Sequence, residues 1–167
     1  MRTILGGLVA AVSAVCRYGT LAAFAVLIAV VTLQVLGRIP GFPSPSWTEE
    51  VARFALVYLV AFSCGLALLR GELVNVDLFV APLPEGARRA IDRVVDAVIL
   101  LFSLAIIPGA WLYVENSIGE RARSIDLPMV VIYLVVLIIP ASLAFFSVAR
   151  LLGWGRSAPP PAHGEVV

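Results

Sequence analysis

The sequence predicts an all-α membrane protein with four transmembrane helices, both termini on the cytoplasmic side. Three observations carry this. Of the 167 residues, 61% are hydrophobic and only 14% are charged, against about 45–50% and about 25% in soluble domains; one domain of this length cannot hide so much apolar surface. The charges are also gathered, leaving uncharged stretches at 18–37, 54–69, 97–114 and 127–149. A bilayer core about 30 Å thick needs roughly 20 helical residues, and in lipid an isolated strand leaves its backbone unpaired, so each stretch reads as a helix. Third, the arginines are lopsided. With the N-terminus inside, Arg2, Arg17, Arg70, Arg88, Arg89, Arg93, Arg150 and Arg156 flank the cytoplasmic ends, against Arg38, Arg53, Arg121 and Arg123 outside, the asymmetry of an N-in, C-in chain.

Taken in order, the first span covers 18–38. Before it, residues 4–16 form a shorter apolar run, read either as an interfacial helix or as a cytoplasmic extension of the span. A secretory signal is the weaker reading, because its basic region is Arg2 alone and Ser13-Ala14-Val15-Cys16 is a poor cleavage or lipid-attachment site. The second span, 47–69, follows the breakers Pro43 and Pro45. Ser46-Trp47-Thr48-Glu49 fits a capping box, with Ser at the cap and Glu three residues on, and Trp47 falls at the interface. In the cytoplasmic loop, Leu73, Val74, Val76 and Leu78 alternate with Asn75 and Asp77, the pattern of a short amphipathic segment. The third span, 94–114, is entered through Arg88, Asp92, Arg93 and Asp96, spaced to pair locally as Arg88–Asp92 and Arg93–Asp96. The fourth covers 127–150. Pro108 and Pro140 are expected to kink the last two. Residues 1–154 thus read as one membrane domain and 155–167, with Pro159-Pro160-Pro161, as a disordered cytoplasmic tail.

What the spans lack is equally informative. Their polar side chains are Thr20, Thr32, Gln34, Ser63, Ser103, Ser142 and Ser147, with no carboxylate at mid-membrane, where an ion pump places one. His163, the single histidine, sits in the tail, so haem ligation, HExxH zinc chemistry and Ser–His catalysis have no residues to use. Cys16 and Cys64 form no CxxC pair. A net charge of +1 argues against nucleic acid. The expectation is a non-catalytic membrane subunit without metal or cofactor, in contact with lipid and with other proteins. The polar residues with most to say are Glu49, Glu50 and Arg53 in the first turns of the second span. Glu49 and Arg53 are four apart and can pair, and acidic groups suit a helix N-terminus. Ionisable groups held where lipid ends also suit docking to a partner.

The stretch Trp47-Thr48-Glu49-Glu50-Val51-Ala52-Arg53 resembles the Trp–Glu–Glu–Arg signature of the small membrane subunit of TRAP transporters, the DctQ family. Gly65, Arg70-Gly71, Val76-Asp77-Leu78, Leu83-Pro84, Arg88 and Leu127-Pro128-Met129 with Tyr133 and Pro140 resemble its later blocks, so the likeness runs from about Gln34 to Ala141. Leu73 stands about where the family often has a histidine, and any role of that side chain is not carried over. The resemblance implies a subunit of the bacterial inner membrane that scaffolds a large elevator-type permease subunit. The assembled importer takes up an organic acid, driven by sodium, with an extracytoplasmic solute-binding protein. By analogy, Trp47, Glu49, Glu50, Arg53, Asp77 and Arg88 are expected at the subunit interface or in structural roles, and Arg121 and Arg123 against the binding protein. The rival readings are the four-span small subunit of a tripartite tricarboxylate transporter and a membrane assembly factor or small channel.

Overall fold

The computed structural model describes residues 2–40, 45–72, 84–121 and 128–154. Among them are four helices: α1 (Arg2–Leu36), α2 (Trp47–Arg70), α3 (Glu85–Asn116) and α4 (Val130–Leu151). All four are long and apolar enough to cross a membrane. The amphipathic segment expected at 73–80, Asp77 and Arg123 within the loops, and the tail lie outside the described residues.

Two helices are longer than the sequence suggests. α1 begins at Arg2 and not near residue 18, so the early apolar run is an extension of the first helix and not a separate one. Residues 2–36 contain no proline, and the helix runs unbroken through its three glycines, the adjacent Gly6 and Gly7 and the isolated Gly19. α3 begins at Glu85, directly after Pro84, and carries its charged entry within its first turns. Pro108 and Pro140 lie inside α3 and α4, each of which runs through its proline as one element.

The expected capping box is absent. Ser46 already has helical backbone angles (φ −62°, ψ −24°) and its side chain caps nothing; a capping serine needs extended angles to reach back to the first turn. The local bond is made instead by Thr48, whose Oγ1 donates to the Pro45 carbonyl at 2.8 Å and which is buried.

At their C-termini, α2 and α4 end in the same way. The Gly71 N–H donates to the Leu68 carbonyl and the Glu72 N–H to Ala67 (3.0 and 2.8 Å). In α4 the Gly153 N–H donates to Arg150 and the Trp154 N–H to Ala149, both at 2.9 Å. These are Schellman closures, which need a left-handed residue, and Gly71 and Gly153 supply φ of 76° and 91°. The second closure turns Trp154 back onto α1, where a Cβ at Gly6 would lie 2.4 Å from its ring.

Packing runs in the order α1–α2–α4–α3, which places α4 between α2 and α3. Buried residues recur every two turns: Val9, Cys16 and Val30 on α1, and Asp96, Ser103 and Ala110 on α3 with Ser117 at its C-cap, are spaced at multiples of seven. On α3 these residues are small or polar, which permits close approach to α4. A buried apolar cluster joins Val9, Cys16, Leu68, Phe146 and Ala149, with Phe62, Leu143 and Trp154 against it. Most of the remaining apolar surface faces outward; on α3, Val98, Leu101 and Phe102 are all exposed.

Candidate functional site

Polar groups collect at the two ends of the helices. At the end marked by Arg70, an ion pair joins α3 to α4. Arg150 Nε lies 2.9 Å from Oδ1 and 3.2 Å from Oδ2 of Asp96. Their side chains are only 15% and 6% exposed, respectively. The same guanidinium donates through Nη1 to the Leu68 carbonyl of α2, beside the Gly71 closure. One arginine thus ties three helices. Helix geometry places it there: Arg150 is in the last turn of α4, where a cation complements the macrodipole, and its fork of donors serves a carboxylate and a carbonyl together.

The opposite end carries the charged rim. Glu49 Oε1 accepts from Arg53 Nη2 at 3.3 Å, the i, i+4 pair expected from the spacing, with both side chains well exposed. Exposed pairs of this kind contribute about 0.3–0.5 kcal/mol, so this one holds little of the fold. Trp47 is exposed and Glu50 half-buried beside them. Around this end, the Tyr58 hydroxyl donates to the Val131 carbonyl, tying α2 to α4. Tyr113 and Tyr133 stack edge-to-face across α3 and α4 with centroids 4.9 Å apart, and the Tyr133 hydroxyl donates to Glu120 Oε2 at 3.2 Å. The Met129 N–H donates to the Glu120 carbonyl at 2.9 Å, and Arg121 pairs with Pro128 in an isolated bridge, so the ends of the loop are pinned together.

Of the residues singled out from the sequence, Trp47, Glu49, Glu50 and Arg53 share the start of α2, and Arg121 lies at the same end of the molecule. Arg88 is on the first turns of α3, at the far end from them. Asp77 and Arg123 lie outside the described residues. Asp96 and Arg150 are the pair that sequence reasoning missed. Helical spacing offers Asp96 its neighbour Arg93, and the arginine asymmetry accounts for Arg150 as a topology anchor. A signal was present: the two have opposite sign and are the innermost charges at the same end of adjacent spans. Among the described residues no group of three or more His, Cys, Asp or Glu could hold a metal ion, and Cys16 and Cys64 are free thiols.

Four apolar spans, charges gathered toward their ends and a buried interhelical pair define a multi-pass membrane protein organised around helix packing. Residues 27–156 match the family model of the DctQ component of tripartite ATP-independent periplasmic transporters. The chain belongs to this family, as a small permease subunit of the bacterial inner membrane. It is similar to the sialic acid TRAP transporter small permease protein SiaQ of Vibrio cholerae, 33% identical over 88 residues, covering 53% of this chain and 51% of that protein. It is also similar to a provisionally named TRAP transporter small permease protein of Haemophilus influenzae, 25% identical over 107 residues, 64% of this chain and 66% of the relative. The chain thus spans about half to two thirds of the length of these relatives. With the family shown, the tricarboxylate-type small subunit is set aside.

Proposed function

We propose that this subunit is a non-catalytic brace for the large membrane subunit of a sodium-driven importer of an organic acid. The large subunit carries substrate by an elevator motion, and a solute-binding protein delivers it. The observation that carries the reading is the distribution of charge. The carboxylates of the described helices lie toward the helix ends, the deepest being Asp96, the twelfth residue of α3, which is paired with Arg150, while broad apolar flanks such as Val98, Leu101 and Phe102 stay uncovered. A substrate or cation path needs polar groups at depth; a brace needs rigid helices and an apolar wall. The N-in, C-in orientation belongs to the same proposal and rests on the arginine asymmetry. Sialic acid is named for the Vibrio relative, and an organic acid of that general kind is the substrate class we favour here.

The rim supplies the test. Because the Glu49–Arg53 pair is exposed and weak, changing it should leave the fold intact. E49R is expected to keep wild-type helicity but to lower co-purification of the large subunit in mild detergent by about tenfold, the equivalent of one or two kcal/mol. Undiminished co-purification would remove the rim from the interface; a chain that purifies alone and conducts ions in liposomes would end the brace reading. A second expectation concerns the other side of the loop. R121E/R123E should leave the membrane complex assembled yet reduce binding-protein docking and uptake, with the loss growing at low salt, where steering by charge is strongest. Docking and uptake equal to wild type would exclude these arginines from that contact.

A further inference from the structure

Arg17 is the one charged residue in the apolar stretch Leu5–Leu36. It is exposed and has no ion-pair or hydrogen-bond partner among the described residues. Its depth follows from packing. A Cβ at Gly19 would lie 2.8 Å from the Phe62 ring, so residues 19 and 62 share a level on antiparallel helices. Counting toward Arg70 places the Arg17 backbone about 9 Å inside the last residue of α2. A bare guanidinium at that depth needs an anion.

Direction decides which anion. Helix side chains lean toward the N-terminus of their helix, and the α1 N-terminus lies at the Arg70 end. The Arg17 side chain therefore rises toward the headgroups of the nearer leaflet, as a snorkelling arginine does. Beside it Tyr18 is 67% exposed, an amphipathic ring suited to the same boundary. The length of α1 agrees: 35 residues make about 52 Å of helix against a core of about 30 Å, so part of α1 must leave the hydrocarbon or tilt strongly. The stretch before Arg17 is held in place by Gly6 on Trp154 and by Val9 and Cys16 in the core cluster, yet Leu8 and Val15 are 53% and 64% exposed.

We propose that Arg17 binds the phosphate of a membrane phospholipid. The headgroup layer is thereby drawn onto α1 about one turn N-terminal of Arg17, and the helix before that point lies within this layer, braced on Trp154. This inference does not depend on the large subunit.

The test places the photo-crosslinking residue p-benzoylphenylalanine at Ala14, which is exposed and one turn from Arg17 on the same flank. The full chain, co-expressed with its large subunit and also purified alone, is illuminated in nanodiscs of phosphatidylglycerol and phosphatidylcholine, and adducts are read by mass. The expected adduct is a phospholipid, in both preparations. It should fall about tenfold with R17Q, as for loss of a charge-assisted hydrogen bond, persist with R17K, and resist an excess of inorganic phosphate. Helicity and elution volume check that R17Q is folded, and R17K against wild type keeps the comparison if it is not. A phospholipid adduct unchanged by R17Q would overturn the proposal, as would one displaced by inorganic phosphate. An adduct to the large subunit in place of lipid would assign Arg17 to a protein carboxylate instead.

Discussion

Replacing Asp96 with alanine is expected to be among the most damaging single changes in this protein. The substitution leaves the Arg150 guanidinium largely buried without its carboxylate. Removing one partner of a buried pair typically costs about 3–5 kcal/mol, because the remaining charge cannot return to water. R150A should be similarly harmful for the mirror-image reason, and it also withdraws the donor from the Leu68 carbonyl. That carbonyl keeps the Gly71 N–H, so the carboxylate left behind is the larger part of the cost. The double replacement D96L/R150M separates pairing from packing. Both charges leave together, the volume is roughly kept, and exchanging a buried pair for apolar groups is often neutral or better. The double variant should recover most of the stability lost by either single variant. The measurement is loss of helicity in a graded denaturant series in detergent, with thermal midpoints as a second reading. A D96A protein as stable as wild type, or a double variant no better than the singles, would show that the pair does not hold α3 on α4.

Gly65→Leu is the second. Gly65 is buried where α2 meets α4, and even a Cβ there would lie 2.7 Å from Phe146 Cδ2 and 3.0 Å from Ser142 Cβ. Phe146 is fully buried and stacks edge-to-face on Phe145, so its ring has no free direction in which to yield. Overpacking by a single methyl group costs about 1–3 kcal/mol. Gly65→Ala should therefore lower stability measurably, and Gly65→Leu should drive α2 from α4 and open the core cluster. The compensating change follows from the contact: Phe146→Leu in the Gly65→Ala background removes the clashing ring edge and should return part of the loss. If Gly65→Leu unfolds like wild type, the two helices do not approach as closely as described. If Phe146→Leu only worsens Gly65→Ala, the strain lies elsewhere.

The two expectations differ in how far the sequence could reveal them. Gly65 was visible as one of the residues resembling the family's blocks, but nothing in the linear pattern said that its neighbour would be Phe146, eighty-one residues away. Asp96 and Arg150 were legible only as charges near span ends. A local rule offered Asp96 a partner three residues away, and local rules are blind to which helices become neighbours. The capping box failed for a related reason. Its residue types and spacing were right, but whether Ser46 could cap depended on the backbone angles of the chain entering from Pro45. The Glu49–Arg53 pair survived because an i, i+4 contact is a property of the helix alone.

Hydrophobicity and the spacing of twelve arginines were enough to give the number of spans and the membrane class. Lipid leaves a long apolar segment few alternatives to helix, and charge cannot stay in hydrocarbon. The Trp47-to-Arg53 signature was enough to point to the family. The order α1–α2–α4–α3, the burial of Asp96 against Arg150 and the choice between a separate interfacial helix and an α1 that continues past Arg17 onto Trp154 were not readable in this way. Inside a membrane every span is apolar on all sides. The periodic contrast that tells a soluble helix which face to bury is therefore faint, and the choice of neighbour falls to close packing at small residues and a few interhelical polar bonds, which exist only once the helices have met.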